Sequence, residues 1–200
     1  MMVRYHMHGN LDVLRAIERL LIRGKLEDAR ELARAVAEAP ADPDLGVWAA
    51  RASTVRDRAA AVASAPGLDE AVRREARLAE ACADCHLETR VQPDLRAPPI
   101  PPDRDTLPAR MARHRWAADR LWEGVVAADD VPWNAGLEVL SATPLRWPEL
   151  GERLSLARSL QRLADQARQR SATDSNAERA RSYGEMLVVC TTCHTAKAAR

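Results

Sequence analysis

Phenylalanine is absent from this chain, and its 200 residues include only two tyrosines and five tryptophans. β-Branched residues are also few. Ala, Arg, Leu and Glu are abundant instead, and these lose little rotamer freedom in a helix, so an all-α fold is expected. A charge of one sign is lacking too. With 30 basic and 29 acidic residues the formal net charge is +1, which gives no electrostatic hold on nucleic acid or an anionic membrane surface. The arginines alternate with Asp and Glu along the expected helices, as on solvated faces carrying i,i+4 pairs. No apolar run approaches the ~20 residues needed to cross a bilayer. The start, Met1-Met2-Val3-Arg4-Tyr5-His6, has no apolar segment of a secretory signal.

Cysteine is scarce as well, and its placement is informative. All four cysteines fall in two pentapeptides, Cys82-Ala83-Asp84-Cys85-His86 and Cys190-Thr191-Thr192-Cys193-His194. Cys-x-x-Cys-His is the attachment sequence for c-type haem: the thiols become thioethers to the porphyrin and the histidine ligates iron. On a helix, positions i, i+3 and i+4 share a face. Cys82, Cys85 and His86 would therefore converge on one haem c, and Cys190, Cys193 and His194 on a second. Alternatively, the two Cys-x-x-Cys pairs together hold one zinc ion in a four-thiolate site. Against zinc, each pair is followed directly by His, lies in a helical pattern and belongs to its own repeat. Thioredoxin-like chemistry would want a βαβ context, which is absent.

In chain order, Met7, Leu11, Leu14, Ile17 and Leu21 mark one face of a helix over 3–24. A second helix, 26–39, ends at Pro40. A third carries Leu45, Trp48, Ala52, Val55, Ala59 and Val62 and stops near Pro66-Gly67. A fourth begins near Asp69 and runs through Val72, Leu78 and Cys82 to His86. Short connections favour an antiparallel four-helix bundle over 1–90. Residues 91–102 then hold five of the twelve prolines, and 91–108 is expected to be a semi-rigid linker. Helices at about 109–128, 133–142, 148–170 and 176–198 would make a second bundle over 109–200. Val126 set against Ile22 places Met111 against Met7, at an offset of 104 that becomes 108 at the pentapeptides. Small loop insertions explain the drift, and an internal duplication explains the order.

A four-helix bundle of about a hundred residues with Cys-x-x-Cys-His near its C-terminal end resembles the cytochrome c′ (class II cytochrome c) family. Each half resembles one member, and the linker lies outside the likeness. The resemblance implies a basic residue four positions after the haem histidine as a propionate contact. Arg90 stands there in the first half; the second has Ala198, with Lys197 beside it. The aromatic residue that often precedes that position is missing from both halves.

The family divides at the other face of the iron. Some members leave it open to NO or CO, and others fill it with a methionine of the first helix. The resemblance makes Met7 and Met111 the candidate distal ligands, and thioether ligation raises the reduction potential. Both also suit plain core filler. His114, one turn from Met111, is the alternative ligand for the second haem. His8 shares a polar face with Asp12, Arg15 and Arg19 and is expected to be exposed. Met186 and Leu78 would pack beside the rings, and Tyr183 near the second. The tryptophans would serve the core or the haem edges.

These readings predict a dihaem electron carrier rather than an enzyme, serving redox partner proteins, with no nucleic acid and no membrane span. The rivals are a gas-binding haem protein with open distal sites and a zinc-stabilised helical interaction module. Haem attachment of this kind takes place on the periplasmic side in bacteria, so a periplasmic location is expected, with an export signal beyond the sequence at hand. The resemblance further implies a homodimer, or fused halves standing in for one.

Overall fold

A computed structural model describes residues 2–40, 43–93, 95, 97–142 and 150–196, with side chains from residue 9 onward apart from 43, 44 and 47. The chain is all-α: α1 (Met2–Ile22), α2 (Leu26–Glu38), α3 (Ala49–Ala63), α4 (Leu68–Thr89), α5 (Leu107–Ala127), α6 (Asp130–Ala142), α7 (Arg153–Arg170) and α8 (Asn176–Thr195), with no strand among the described residues. No helix among them is long and apolar enough to cross a membrane.

Local chemistry sets the ends of these helices. Asp69 and Glu70 occupy the first turn of α4, where a negative charge offsets the exposed N–H groups. Thr106 accepts from the Ala109 N–H at the start of α5, with Pro108 in its first turn. Ser175 and Glu178 close a reciprocal capping box on α8, satisfying two otherwise orphaned donors. Gly24 turns the chain out of α1 at a φ of +72°, and a Cβ there would lie 2.3 Å from Thr195 Cγ2.

Two expected boundaries are corrected. Leu45 and Trp48 do not join the third helix but sit in a 3-10 turn, Pro43–Trp48, broken by Gly46 at a φ of 49°. The apolar spacing alone could not reveal that break. The seventh helix begins at Arg153, not Pro148, and Pro148 lies outside the described residues. The end of the eighth beyond Thr195 and Ala196, including Lys197 and Ala198, also lies outside them.

Within each half every helix packs on its predecessor, and the first also touches the fourth: α1 on α4, and α5 on α8. Between the halves α4 packs broadly on α8, α4 on α5, and α1 on α8. Exchanging α1–α4 for α5–α8 leaves this set of pairs unchanged. Leu14, Ile17, Val72, Leu78, Leu121, Trp122, Leu137, Tyr183 and Leu187 belong to a single continuous core drawn from both halves. Close helix contacts rely on glycine. A Cβ at Gly124 would fall 2.7 Å from the Trp133 Cβ, and one at Gly136 would lie 2.8 Å from the Ala117 carbonyl oxygen.

The proline-rich segment is irregular, as expected, but it is fastened down. Trp116 Nε1 donates to the Pro98 carbonyl at 2.8 Å and Arg113 to that of Pro101 at 2.7 Å. Gln92 donates to Asp129 at 3.0 Å.

Candidate functional site

Both pentapeptides lie in the last two turns of their helices, Cys82 to His86 on α4 and Cys190 to His194 on α8. All four thiols are free. Burial pushes the Cys82 and Cys190 thiols up to about 12. Burial raises Cys85 and Cys193 too, but an arginine opposes it in each case, Arg51 beside Cys85 and Arg153 beside Cys193. Arg51 opens α3 and pairs with Glu88, while Arg153 opens α7 and donates to the Ala196 carbonyl. Each half thus brings an arginine from its third α-helix to its second cysteine. A cation there favours the thiolate, which is the reactive form.

Burial holds both histidines below the ordinary imidazole range, so they are neutral at neutral pH. The His86 Nδ1 lies 3.1 Å from the Val126 carbonyl of α5. A carbonyl only accepts, so Nδ1 carries the proton and Nε2 keeps the lone pair. This is the usual way a ligating histidine is oriented. Ile22, 104 positions before Val126, lines the cavity that also holds His194.

That cavity has a volume of about 500 Å³, inside the roughly 300–1,000 Å³ of cofactor sites. Its walls are largely apolar, with Cys190, Cys193 and His194 from α8 and both Met111 and His114 from α5. Met186 is buried and lines it. Met111 is partly buried and packs on Leu150 and Ala157. α1 of the first half completes the wall through Glu18, Arg19, Ile22 and Arg23. Two thiols, an imidazole and a second soft or imidazole donor around an apolar space fit haem c in chemistry and in size. Among the described residues no three His, Cys, Asp or Glu side chains gather to hold a metal ion.

Other expected site residues fare differently. Met7 lies on α1, but its side chain, like those of His6 and His8, lies outside the described residues. Arg90 is exposed and serves as the left-handed cap of α4 at a φ of 55°. Trp122 and Trp133 are fully buried, Trp48 and Trp116 partly so, and Trp147 lies outside the described residues.

The expectation of solvated arginine faces is corrected at the junction of the halves. Arg15 pairs with Asp119 and Glu123 of α5 and lies 5.0 Å from the centre of the Trp122 ring. Arg19 also reaches Asp119, and buried Arg120 pairs with buried Glu123. Sequence reasoning also missed two buried carboxyls. Glu18 accepts from the Tyr183 hydroxyl, and Glu75 accepts from Trp122 Nε1 at 2.9 Å. A signal existed, since Glu18 completes the run 7, 11, 14, 18, 21 and Glu75 lies seven positions before Cys82. Comparison with protein-family models, with curated proteins and with solved structures gives no match for this chain.

Proposed function

We propose that the protein is a dihaem c-type cytochrome that transfers electrons. In this reading it consists of two tandem antiparallel four-helix bundles of the cytochrome c′ type, 1–90 and 109–200, joined by the segment 91–108. The supporting observation is the cavity of about 500 Å³ that gathers Cys190, Cys193 and His194 with Met111 and His114. Cys190 and Cys193 would hold one haem as thioethers, with His194 as its first iron ligand and Met111 or His114 as its second. Cys82, Cys85 and His86 would hold the other, with Met7 as the matching distal candidate. When bound, each haem supplies a one-electron couple.

The chain's own contribution is to fix the surroundings. The Val126 carbonyl orients the His86 ring. α4 packed on α8 brings the two attachment helices together in one core, and a packed core of low compressibility resists rearrangement between redox states. Redox partner proteins would deliver and remove the electrons, and attachment would take place in the periplasm.

Reduced-minus-oxidised optical spectra of the purified protein test this reading. Low-spin c-type α bands are expected. High-spin spectra that shift with CO would replace it with gas binding at open distal sites, and the absence of any covalent haem spectrum would overturn both.

A further inference from the structure

Glu18 of α1 and Glu75 of α4 are each fully buried. Glu75 shares a helix face with Cys82, two turns away, and bears on its thiol, while Glu18 bears on that of Cys190. The two acids also act on each other. Their bonds are related by the duplication: Glu18 and Trp122 are 104 positions apart, Glu75 and Tyr183 are 108 apart. The first half gives both acids and the second half both donors, paired across the junction. The second carboxylate oxygen of Glu75, Oε2, is buried without a hydrogen-bond partner among the described residues. A bare buried carboxylate oxygen is costly unless it carries a proton.

We propose that Glu18 and Glu75 form a proton-binding site that takes up one proton when an electron enters the chain and releases it when the electron leaves. The inference rests on the dihaem reading. The balance is simple: a one-electron donor loses one electron, one iron gains it, and one solvent proton binds a carboxylate of the pair. The net charge of the interior is then unchanged. Burial raises Glu18 to about 7 and Glu75 well above its ordinary value, and because the two acids act on each other their protons are bound in coupled steps. The groups facing it are Arg15 and Arg19 of α1, Asp119, Trp122 and Glu123 of α5, Tyr183 and Cys190 of α8, and Cys82 of α4. From α2 and α3 the core receives Ala29, Ala33, Ala59 and Val62. Neither arginine hydrogen-bonds to a carboxyl of the pair; Arg15 is engaged by Asp119 and Glu123 and Arg19 by Asp119.

The test uses the full chain and two readouts. Infrared spectra of the folded protein at pH 6 should show an un-ionised carboxyl band that Glu18→Gln and Glu75→Gln together remove, whether or not haem is attached. On haem-loaded protein, confirmed by intact mass, redox titration with small mediators should show the reduction equilibrium changing with pH around 7. The limit is tenfold per pH unit, about 59 mV for one electron, and the double variant should lose the slope. A potential independent of pH in the loaded wild type, or a slope unchanged in the double variant, overturns the inference and leaves electron transfer standing. Should the double variant fail to fold, reduced-minus-oxidised infrared spectra of the wild type decide: no carboxyl change on reduction overturns it. A chain that carries no haem overturns the dihaem reading instead, whatever the infrared band shows.

Discussion

Met111 and His114 lie one turn apart on α5 and both line the cavity with His194, so under the proposed dihaem reading the second haem would take either a thioether or an imidazole as its distal ligand. Met111→Ala should turn that haem high-spin and CO-reactive while His114→Ala leaves it low-spin; the reverse outcome would make the site bis-histidine. Optical and CO-difference spectra read either result. The pentapeptides themselves were legible because their cysteines and histidine fall within five consecutive positions. The acids were harder to find. Glu18 and Glu75 stand at positions that suit apolar residues, and only the partner helices show that Tyr183 and Trp122 meet them. Arg51 and Arg153 likewise approach their cysteines through packing of the third α-helix of each half on the fourth, a contact that spacing along one helix does not encode.

Helix order and most helix limits follow from apolar periodicity, caps and prolines, and they agree with the structure to within a few residues except at the third and seventh helices. At the third, Leu45 and Trp48 continue the apolar count, yet Gly46 takes a left-handed turn inside it; periodicity is blind to such a break. The close approach of α5 and α6 depends on Gly124, where an added Cβ would lie 2.8 Å from the Trp133 backbone nitrogen. Backbone cannot yield as a flexible side chain does, so Gly124→Ala should destabilise the fold by about 1–3 kcal/mol. Thermal unfolding should show it as a drop of about 2–4 °C per kcal/mol. Gly9→Ala, with nothing within 4 Å of the added Cβ, should be neutral or slightly stabilising, since alanine is the better helix former.

At the scale of the molecule, the halves are tied by crossed pairs: α1 to α8 through Glu18 and Tyr183, and α5 to α4 through Trp122 and Glu75. The repeated motif and element order were legible in the sequence, but the joining of the halves into one core depends on contacts such as Trp122–Glu75 and Tyr183–Glu18, 47 and 165 positions apart. Burial of Glu18 makes this junction sensitive to pH. Its folded value of about 7 stands above the ordinary 4.5, so between these limits the folded chain holds a proton that the unfolded chain releases. Its contribution to stability is therefore full below pH 4.5 and is lost as pH rises through 7, at no more than about 1.4 kcal/mol per unit. Glu18→Gln keeps an acceptor for Tyr183 and removes the titration. Denaturation of the variant should vary less with pH between 4.5 and 7, with a gain in stability at pH 7.5; a profile as steep as the wild type's would place the sensitivity elsewhere.

The proposal that each pentapeptide holds a haem is tested most directly by intact mass. The chain should be produced with an export leader in a bacterial host carrying the periplasmic haem-attachment apparatus, then weighed after denaturation. Two covalent haems per chain are predicted, falling to one when Cys190 and Cys193 are both replaced by alanine. A denatured chain at its bare polypeptide mass, from a host that loads a control c-type cytochrome, would contradict the account.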